Sequence, residues 1–487
     1  MKIKGLRWWI LSLIILITII NYLDRGTLNY MWVTNVEYTV VNDISHSPKE
    51  NLAIFNATNN TYRLISKNGN EIIQNASDVT IKNNGAIIAN RQGIAYDLGI
   101  VNMHESPETV SKQAKDFLGS ITIFFMIAYG LSQLFSGKLY DKIGTRFGFI
   151  ISVFIWGTAD ALTSLAQGKV SLTGFRMMLG LGEAGPWPGV VKNNAEWFPQ
   201  KERAFAQGLF GAASSVGSIL APVIILMLYM SLGWKITFVV VGCLGLLWII
   251  PWIIINKKGP KEHPNITLEE QKYILSGQSE TVIENDCAKS WKELLSNKKN
   301  YSVILGRFFL DPIWWMFVTF LPMYLIEQFH LNIKEVAFSA WIPYVGAMIG
   351  GITGGWFSGY LIRTGRTVDR ARKVAMLFGG IIMIPSIIAS VMASNAIFAV
   401  ILMAFVLGGF QFTIVNIQTL PSDLHGGKSV GSLAGLGGAA AVLGTILAML
   451  FASRIESWTL LFGLLSALVP LSLLSVYITV GKIEQIK

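Results

Sequence analysis

Residues 174–189 read GFRMMLGLGEAGPWPG. The stretch sits inside a long apolar run, yet it carries a cation at Arg176 and an acid at Glu183. A charge at the centre of a bilayer costs roughly 2.5 to 3.5 kcal/mol on insertion scales, so such residues face a bundle interior or an aqueous cavity. Seven residues span almost two helical turns, about 700°, so both side chains leave one helix face roughly 10 Å apart along the axis. Two readings fit. One is a structural ion pair buried in a helical bundle; the other is a carrier in which the cation holds an anion and the acid handles a proton.

The composition around this stretch belongs to a polytopic membrane protein. Of 487 residues, 52% are hydrophobic and 14% charged, where soluble domains carry about 25% charged residues. A net charge of +10 could signal a nucleic-acid binder, but the basic residues fall in short loops between apolar runs, which sets orientation and not ligand. Cys243 lies in an apolar run and Cys287 in a polar loop, a pattern that predicts no disulfide. The apolar N-terminal stretch has no convincing cleavage site and holds Asp24 and Arg25, so it reads as a retained helix and not a signal peptide.

About 20 apolar residues cross a bilayer. Runs of that kind predict an all-α protein of twelve transmembrane helices, at about 8–31, 117–137, 147–166, 171–193, 204–230, 235–255, 301–327, 335–361, 373–393, 395–419, 428–452 and 457–480. Lys2, Lys4, Arg7, Lys138, Lys142, Arg146, Lys201, Arg203 and the cluster from Arg363 to Lys373 all fall on one side. The other side holds little beyond Lys169, Lys235, Lys334 and Arg454. Both termini are therefore predicted to be cytoplasmic, in a cell (plasma or inner) membrane.

Residues 256–300 form a long polar stretch that divides the chain into a six-helix half over 1–255 and another over 301–487. Within it, PNITLEEQKYILSGQ (264–278) places Thr267 three residues before Glu270, a capping-box signature for a short surface helix. Residues 36–116, between helices 1 and 2, are Asn-rich. YRLISKNGNEII (62–73) and DVTIKNNGAIIA (78–89) each set Asn-Gly between β-prone runs, so a small β-rich extracytoplasmic insertion is expected. SPETVSKQAKDFLG (106–119) should lead helically into helix 2, capped by Ser106 or Thr109. Seven basic against nine acidic residues give the insertion a net charge of −2 and no funnel for an anion, so it reads as a lid or partner surface off the transport path. Asn56, Asn59 and Asn75 fit the glycosylation sequon, which an Asn-rich segment also produces by chance.

Between helices 2 and 3 stands GKLYDKIGTRFG (137–148), with Gly137 and Gly144 for tight turning, Asp141 for capping or pairing, and Lys142 and Arg146 on the basic side. It resembles the signature loop of the major facilitator superfamily, which implies a gating role for these five residues and two parallel halves. A weaker echo, GGWFSGYLIRTGR (354–366), lacks the Asp, so an ionic latch is not expected in the second half. NYLDRGTLN (21–29) together with GFRMMLGLGEAG resembles the anion:cation symporter family within that superfamily. KIKGLRWW (2–9), EWFPQKERAFAQGLF (196–210), FFLDPIWWMFVTFLPMYL (308–325), KEVAFSAWIP (334–343) and GSLAGLGGAAAVLGT (431–445) are most similar to bacterial hexuronate transporters. The resemblance covers everything except 36–116.

Carried over by position, it implies that Arg25 and Arg176 bind a substrate carboxylate, that Tyr22 and Tyr129 line a sugar-acid pocket, and that Glu183, with Asp24 as a second candidate, couples protons. A guanidinium presents a planar fork that takes a carboxylate bidentately, and sugar hydroxyls suit Tyr, Trp, Gln and Asn. In the second half Trp315, Gln411, Asn416 and Gln418 offer such groups, each equally readable as an interhelical hydrogen bonder. Gly435, Gly437 and Gly438 in helix 11 mark open space or close helix packing. Arg307 and Asp311, four apart, read as an i,i+4 pair. Asp160 has no evident partner. His46, His104, His263, His330 and His425 fall in loops or at helix ends, so proton work is assigned to carboxylates.

The expectation is a monomeric, cofactor-free and metal-free symporter of a small anionic sugar acid, driven by the proton gradient, with the bilayer and no nucleic acid as its surroundings. No P-loop occurs in the sequence, which argues against ATP drive. The alternatives are a symporter of another organic anion (aldonate, tartrate or similar), a non-transporting sensor using 36–116, or a membrane enzyme. The last lacks a metal cluster or a nucleophile–base set in the spans.

Overall fold

The computed structural model describes residues 2–32, 34–41, 52–65, 71–75, 79–81, 87–101, 107–276, 289–329, 339–427, 429–452, 454–455 and 457–486. Both Asn-Gly turns, Ser106, His46, His104, His330, Lys334 and Cys287 lie outside the described residues.

The chain is a multi-pass bundle. Helix 1 is Leu6–Met31. Leu6, Ile10, Leu11 and Ile14 are buried on it while Trp9 and Leu16 stay exposed. A helix apolar on every side suits a lipid-facing surface as well as a bundle interior. Two very long helices each hold two spans. Pro107–Thr163 breaks at Gly144 (φ 81°, ψ 166°) into helices 2 and 3. Gln200–Ile255 breaks at Gly233 (φ 75°, ψ 169°) into helices 5 and 6. A side chain is strained at that positive φ, so glycine makes each sharp turn between spans. Helices 7 to 12 are Tyr301–Phe329, Ile342–Arg363, Val368–Val391, Ala396–Leu424, Val430–Ala452 and Trp458–Val480.

Helix 4 comes in two pieces, Lys169–Glu183 and Pro186–Trp197. Pro186 and Pro188 have no N–H for the carbonyls four residues back, which interrupts the helix just after Glu183. Nine helices among the described residues are long and apolar enough to cross a membrane, the 52- and 56-residue ones each being a pair. Helix 4 completes the set of twelve.

Lipid tails are as apolar as leucine, so packing rests on close approach and not on the hydrophobic effect. A methyl group on Gly208 would clash with the Gly351 carbonyl, binding helix 5 to helix 8, and one on Gly137 would clash with Gly431, binding helix 2 to helix 11. One apolar cluster draws only on residues between Val303 and Ile483. Another draws on residues between Leu6 and Ile274.

The expected β-rich insertion is a six-stranded sheet in the order β4-β3-β2-β1-β6-β5. Its strands are β1 Thr34–Val40, β2 Leu52–Asn56, β3 Thr61–Ile65, β4 Glu71–Asn75, β5 Thr80–Ile81 and β6 Ile87–Gln92. The pairs β3/β4 and β5/β6 are antiparallel, with Ile65 opposite Glu71 and Ile81 opposite Ile87, as hairpins require. The sheet is fastened by the segment after it. Ile94, Ala95 and Tyr96 pack with Met31, Trp32, Trp234 and Phe238, and the Trp234 indole donates to Asp97 at 2.6 Å. The helical lead-in is continuous with helix 2, which starts at Pro107 instead of near residue 117.

The termini and the 256–300 stretch gather at the opposite end of the bundle. Leu268–Ser276 is helical, and Thr267 accepts from the Glu270 amide as a cap should. The other half of the expected capping box is absent. The Glu270 carboxylate instead accepts from Leu6 N at 2.9 Å and from the Arg7 guanidinium at 3.0 Å, capping helix 1. A complete box forms elsewhere, at Ser290 and Glu293.

Candidate functional site

The spacing of charged and small residues in helix 4 builds the centre of the site. Methyl groups on Gly180, Gly182 or Gly185 would run into Phe125 of helix 2 or Trp156 and Ser152 of helix 3. Three glycines therefore let two neighbours close around Glu183, whose side chain is fully buried. Its Oε2 accepts from Arg25 Nε at 2.6 Å, and no hydrogen bond reaches Oε1. Arg25 also lies 5.2 Å from the ring centroids of both Tyr22 and Tyr129. Tyr22 and Arg25 are three residues apart on helix 1 and so share a face.

Asp24 points elsewhere, because neighbouring helical residues diverge by about 100°. It is buried and interacts electrostatically with Asp160 of helix 3 and with Arg176. Asp160 thus gains the surroundings that its sequence position did not reveal, with the Asp24 carboxyl as its side-chain hydrogen-bond partner. Arg176 is likewise buried, 5.5 Å from the Phe238 ring, with no hydrogen bond from Nε or Nη2. The two charges of 174–189 therefore do not pair directly with each other, although they belong to one electrostatic network. Glu183 pairs with Arg25, and Arg176 faces Asp24 and Asp160.

A cavity of about 680 Å³ opens from the sheet end down to these groups, within the usual 300–1,000 Å³ range for ligand sites. Tyr22, Arg25, Arg176, Trp314, Trp315 and Tyr344 are among its walls. It narrows into a smaller pocket of about 80 Å³ at mid-bundle. That pocket is lined by Tyr22, Arg25, Tyr129 and Gln133 from the first six helices and by Arg307, Asp311, Trp315, Gln411 and Gln418 from the last six. Asn416 does not line either space. It is fully buried, and its amide donates to the Phe412 carbonyl at 2.9 Å and to Gly354 at 3.4 Å. Gln418 does line the pocket while accepting from Gln207 at 2.8 Å. The helix 11 glycines serve packing: methyls on Gly435, Gly437 and Gly438 would meet Gln133, Val303 and Gln133 respectively.

Sequence reading missed Gln133, Trp187, Ser214 and Trp314 as lining residues. It also read Arg307–Asp311 as a helix-stabilising pair only. The pair forms as expected, at 2.7 and 3.0 Å, but it does so on the cavity wall.

Below the pocket the bundle is shut. Asp141 accepts from Lys192 at 3.0 Å, from the amides of Gly431 and Ser432 at 3.0 and 2.6 Å, and from the Ser432 hydroxyl at 2.7 Å. It caps helix 11 across the bundle, so of the two roles open to it, both are filled. Gly144 turns the loop, whereas Gly137 serves close packing. Arg146 donates to the Lys257 carbonyl at 2.8 Å, and Lys142 is exposed. Contrary to expectation, an ionic latch also exists on the other side. Its acid is Asp423 at the end of helix 10, which accepts from Arg372 at 2.9 Å and Gln200 at 3.3 Å, with Arg203 at 3.9 Å. Open at the sheet end and closed at the linker end, the molecule has the shape of one half of a transport cycle.

Residues 14–449 match the Major Facilitator Superfamily, and the chain belongs to that superfamily. It is similar to the hexuronate transporter of Escherichia coli K12, with 30% identity over 66% of this chain and 75% of that protein. It is also similar to the galacturonate transporter of Dickeya chrysanthemi, 32% identical over 53% of this chain and 76% of that one. The probable galactarate/D-glucarate transporter of E. coli K12 is 31% identical over 63% and 74%. In fold the chain resembles the crystal structure of the E. coli fucose:proton symporter, with a TM-score of 0.55 and 14% identity over 76% of this chain and 92% of that one.

Proposed function

We propose that this superfamily member is a proton-coupled symporter of a sugar-acid monoanion, a hexuronate such as glucuronate or galacturonate, working by alternating access. The observation that carries the reading is the Arg25–Glu183 pair at the floor of the open cavity, flanked by Tyr22 and Tyr129. A substrate carboxylate competes with Glu183 for the Arg25 fork. Once displaced, Glu183 is a desolvated carboxylate that has lost its hydrogen-bonded counter-charge and keeps only the more remote Arg176 against the opposing Asp24, a costly state that a proton relieves. Anion binding and proton uptake are thereby linked in both directions. Arg176, with Asp24 and Asp160 behind it, supplies a second cation along the same wall. Trp315, Gln411 and Gln418 meet the hydroxyls from the other side.

In this reading 1–255 and 301–487 are the two rocking halves, joined by 256–300. The termini are cytoplasmic, the sheet is extracytoplasmic in the cell membrane, and the monomer is the working unit. Gly137, Asp141, Lys142, Gly144 and Arg146 belong to the gate. The relatives named for hexuronate and galacturonate support the substrate class.

The test is uptake of labelled glucuronate into proteoliposomes under an imposed inward proton gradient, with a competition panel of sugar acids, aldonates and tartrate. Saturable accumulation abolished by a protonophore is the expected result. Absence of uptake for every acid in the panel would overturn the transporter reading.

A further inference from the structure

Two ionic pairs reach the mid-bundle pocket, one through Arg25 alone and one through both Arg307 and Asp311, and only the first has been given work. Arg307 and Asp311 on helix 7 line it opposite Tyr22 and Arg25 of helix 1, and Asp311 acts electrostatically on Tyr22 across the gap. Their side chains are 12% and 9% exposed, a residue of exposure that the pocket supplies. Both Arg307 nitrogens, Nε at 3.0 Å and Nη2 at 2.7 Å, donate to the same carboxylate oxygen, Oδ2. Among the described residues no hydrogen bond is directed to Oδ1. A buried ion pair is weak evidence of a folding role, since such pairs are often replaceable by apolar side chains without loss. Arg307 packs against the glycine-rich face of helix 11: a methyl on Gly438 would lie 3.4 Å from its Nη1, in ordinary contact, although Gln133 is what such a methyl would strike.

We propose that the Arg307–Asp311 pair reads the end of the substrate opposite its carboxylate, and that Asp311 makes the pocket selective for monocarboxylates over dicarboxylates. The proposal rests on the sugar-acid reading given above. With one carboxylate on Arg25, a six-carbon acid extends toward helix 7. A hydroxyl there can donate to Asp311 Oδ1 and accept from Arg307. A second carboxylate finds the guanidinium already neutralised and meets an anion, an arrangement that discriminates by repulsion as much as by attraction.

The experiment compares full-length wild type, Asp311→Asn, Asp311→Ser and Asp311→Glu. Glucuronate and glucarate are titrated as competitors of labelled glucuronate uptake, and in parallel by fluorescence of the purified proteins, since Trp314 and Trp315 line the pocket. Wild type should favour glucuronate by at least tenfold. Asp311→Asn and Asp311→Ser should cut that preference at least tenfold by raising glucarate affinity, and Asp311→Glu should keep it. Equal weakening of both acids, with the ratio unchanged, would assign the pair to structure and overturn the proposal. Failure of both neutral variants to fold would do the same. A wild type that binds neither acid would instead refute the sugar-acid reading.

Discussion

Arg25 of helix 1 and Glu183 of helix 4 meet at 2.6 Å with the glutamate fully buried. The interaction joins residues 158 positions apart at the floor of a cavity open to one side. It is the contact that an incoming anion must break, and it defines the first prediction.

Glu183→Gln removes the acid while keeping a hydrogen-bond acceptor for Arg25. The variant should bind glucuronate with affinity equal to or better than wild type and should exchange it across proteoliposomes. It should fail to concentrate it under a proton gradient. Asp24→Asn is the control. If that variant loses accumulation while Glu183→Gln keeps it, coupling belongs to the Asp24–Asp160 cluster. Accumulation retained in both would rule out proton symport through these carboxylates.

The second prediction ranks the arginines. Arg25→Lys keeps the charge but loses the fork that faces the substrate, a loss of charge-assisted hydrogen bonding worth about 1.5–3 kcal/mol, or roughly 10- to 150-fold in Kd. Arg176→Lys should cost less, because Arg176 answers chiefly to Asp24 and Asp160. Isothermal titration of both variants measures the order, and a reversed order would move the carboxylate site up the cavity to helix 4.

The third concerns the closed end. Asp141→Ala deletes four hydrogen bonds to Lys192, Gly431 and Ser432. Lys192 retains Glu196 at 3.8 Å, which moderates the loss. A shift of about 1–3 kcal/mol toward opening at the linker end is expected, roughly 5- to 150-fold in population. A cysteine at Ala434, buried in the contact with Val191, should then be alkylated several-fold faster. Unchanged protection would remove Asp141 from the gate.

The fourth concerns the sheet. Among the described residues, none from the strands lines either the cavity or the pocket. Replacing 34–92 by a Gly/Ser linker, with Ile94–Asp97 kept as the anchor against Trp234, should leave glucuronate affinity within a few-fold. Loss of binding in a monodisperse, folded variant would make the sheet part of the site.

The fifth fixes sidedness. A cysteine at the exposed Asn59 should react with an impermeant maleimide from outside intact cells. Labelling from the cytoplasmic side alone would invert the topology from helix 1 onward.

The twelve spans were readable because each is a property of one apolar run and its flanking charges. The turn at Gly144 was readable for a similar reason, being set by the residue itself. Partnerships between helices were not. That Arg25 rather than Arg176 pairs with Glu183 depends on how helices 1 and 4 cross, and no spacing within either helix encodes it. Glu270 sat at the right distance from Thr267 for a local box, but the amide of Leu6 and the guanidinium of Arg7 compete for the same oxygens. Asp423 is not legible as a latch because the motif echo at 354–366 carries no acid, and the acid that completes the second latch stands on helix 10. Asn416 shows the converse error: a polar side chain mid-span can be consumed by the carbonyls of its own neighbourhood.

The two latches have a consequence for leakage. Asp141 and Asp423 are each withdrawn from water and each held by several donors at once. Pulling the linker end apart by a small amount would strand a carboxylate and its cations in a dry seam, so intermediate separations are disfavoured relative to fully shut or fully flooded ones. Opening there is consequently a switch with a threshold, not a graded dilation. A membrane that maintains an ion gradient needs that property from any protein with a 680 Å³ cavity open on its other face.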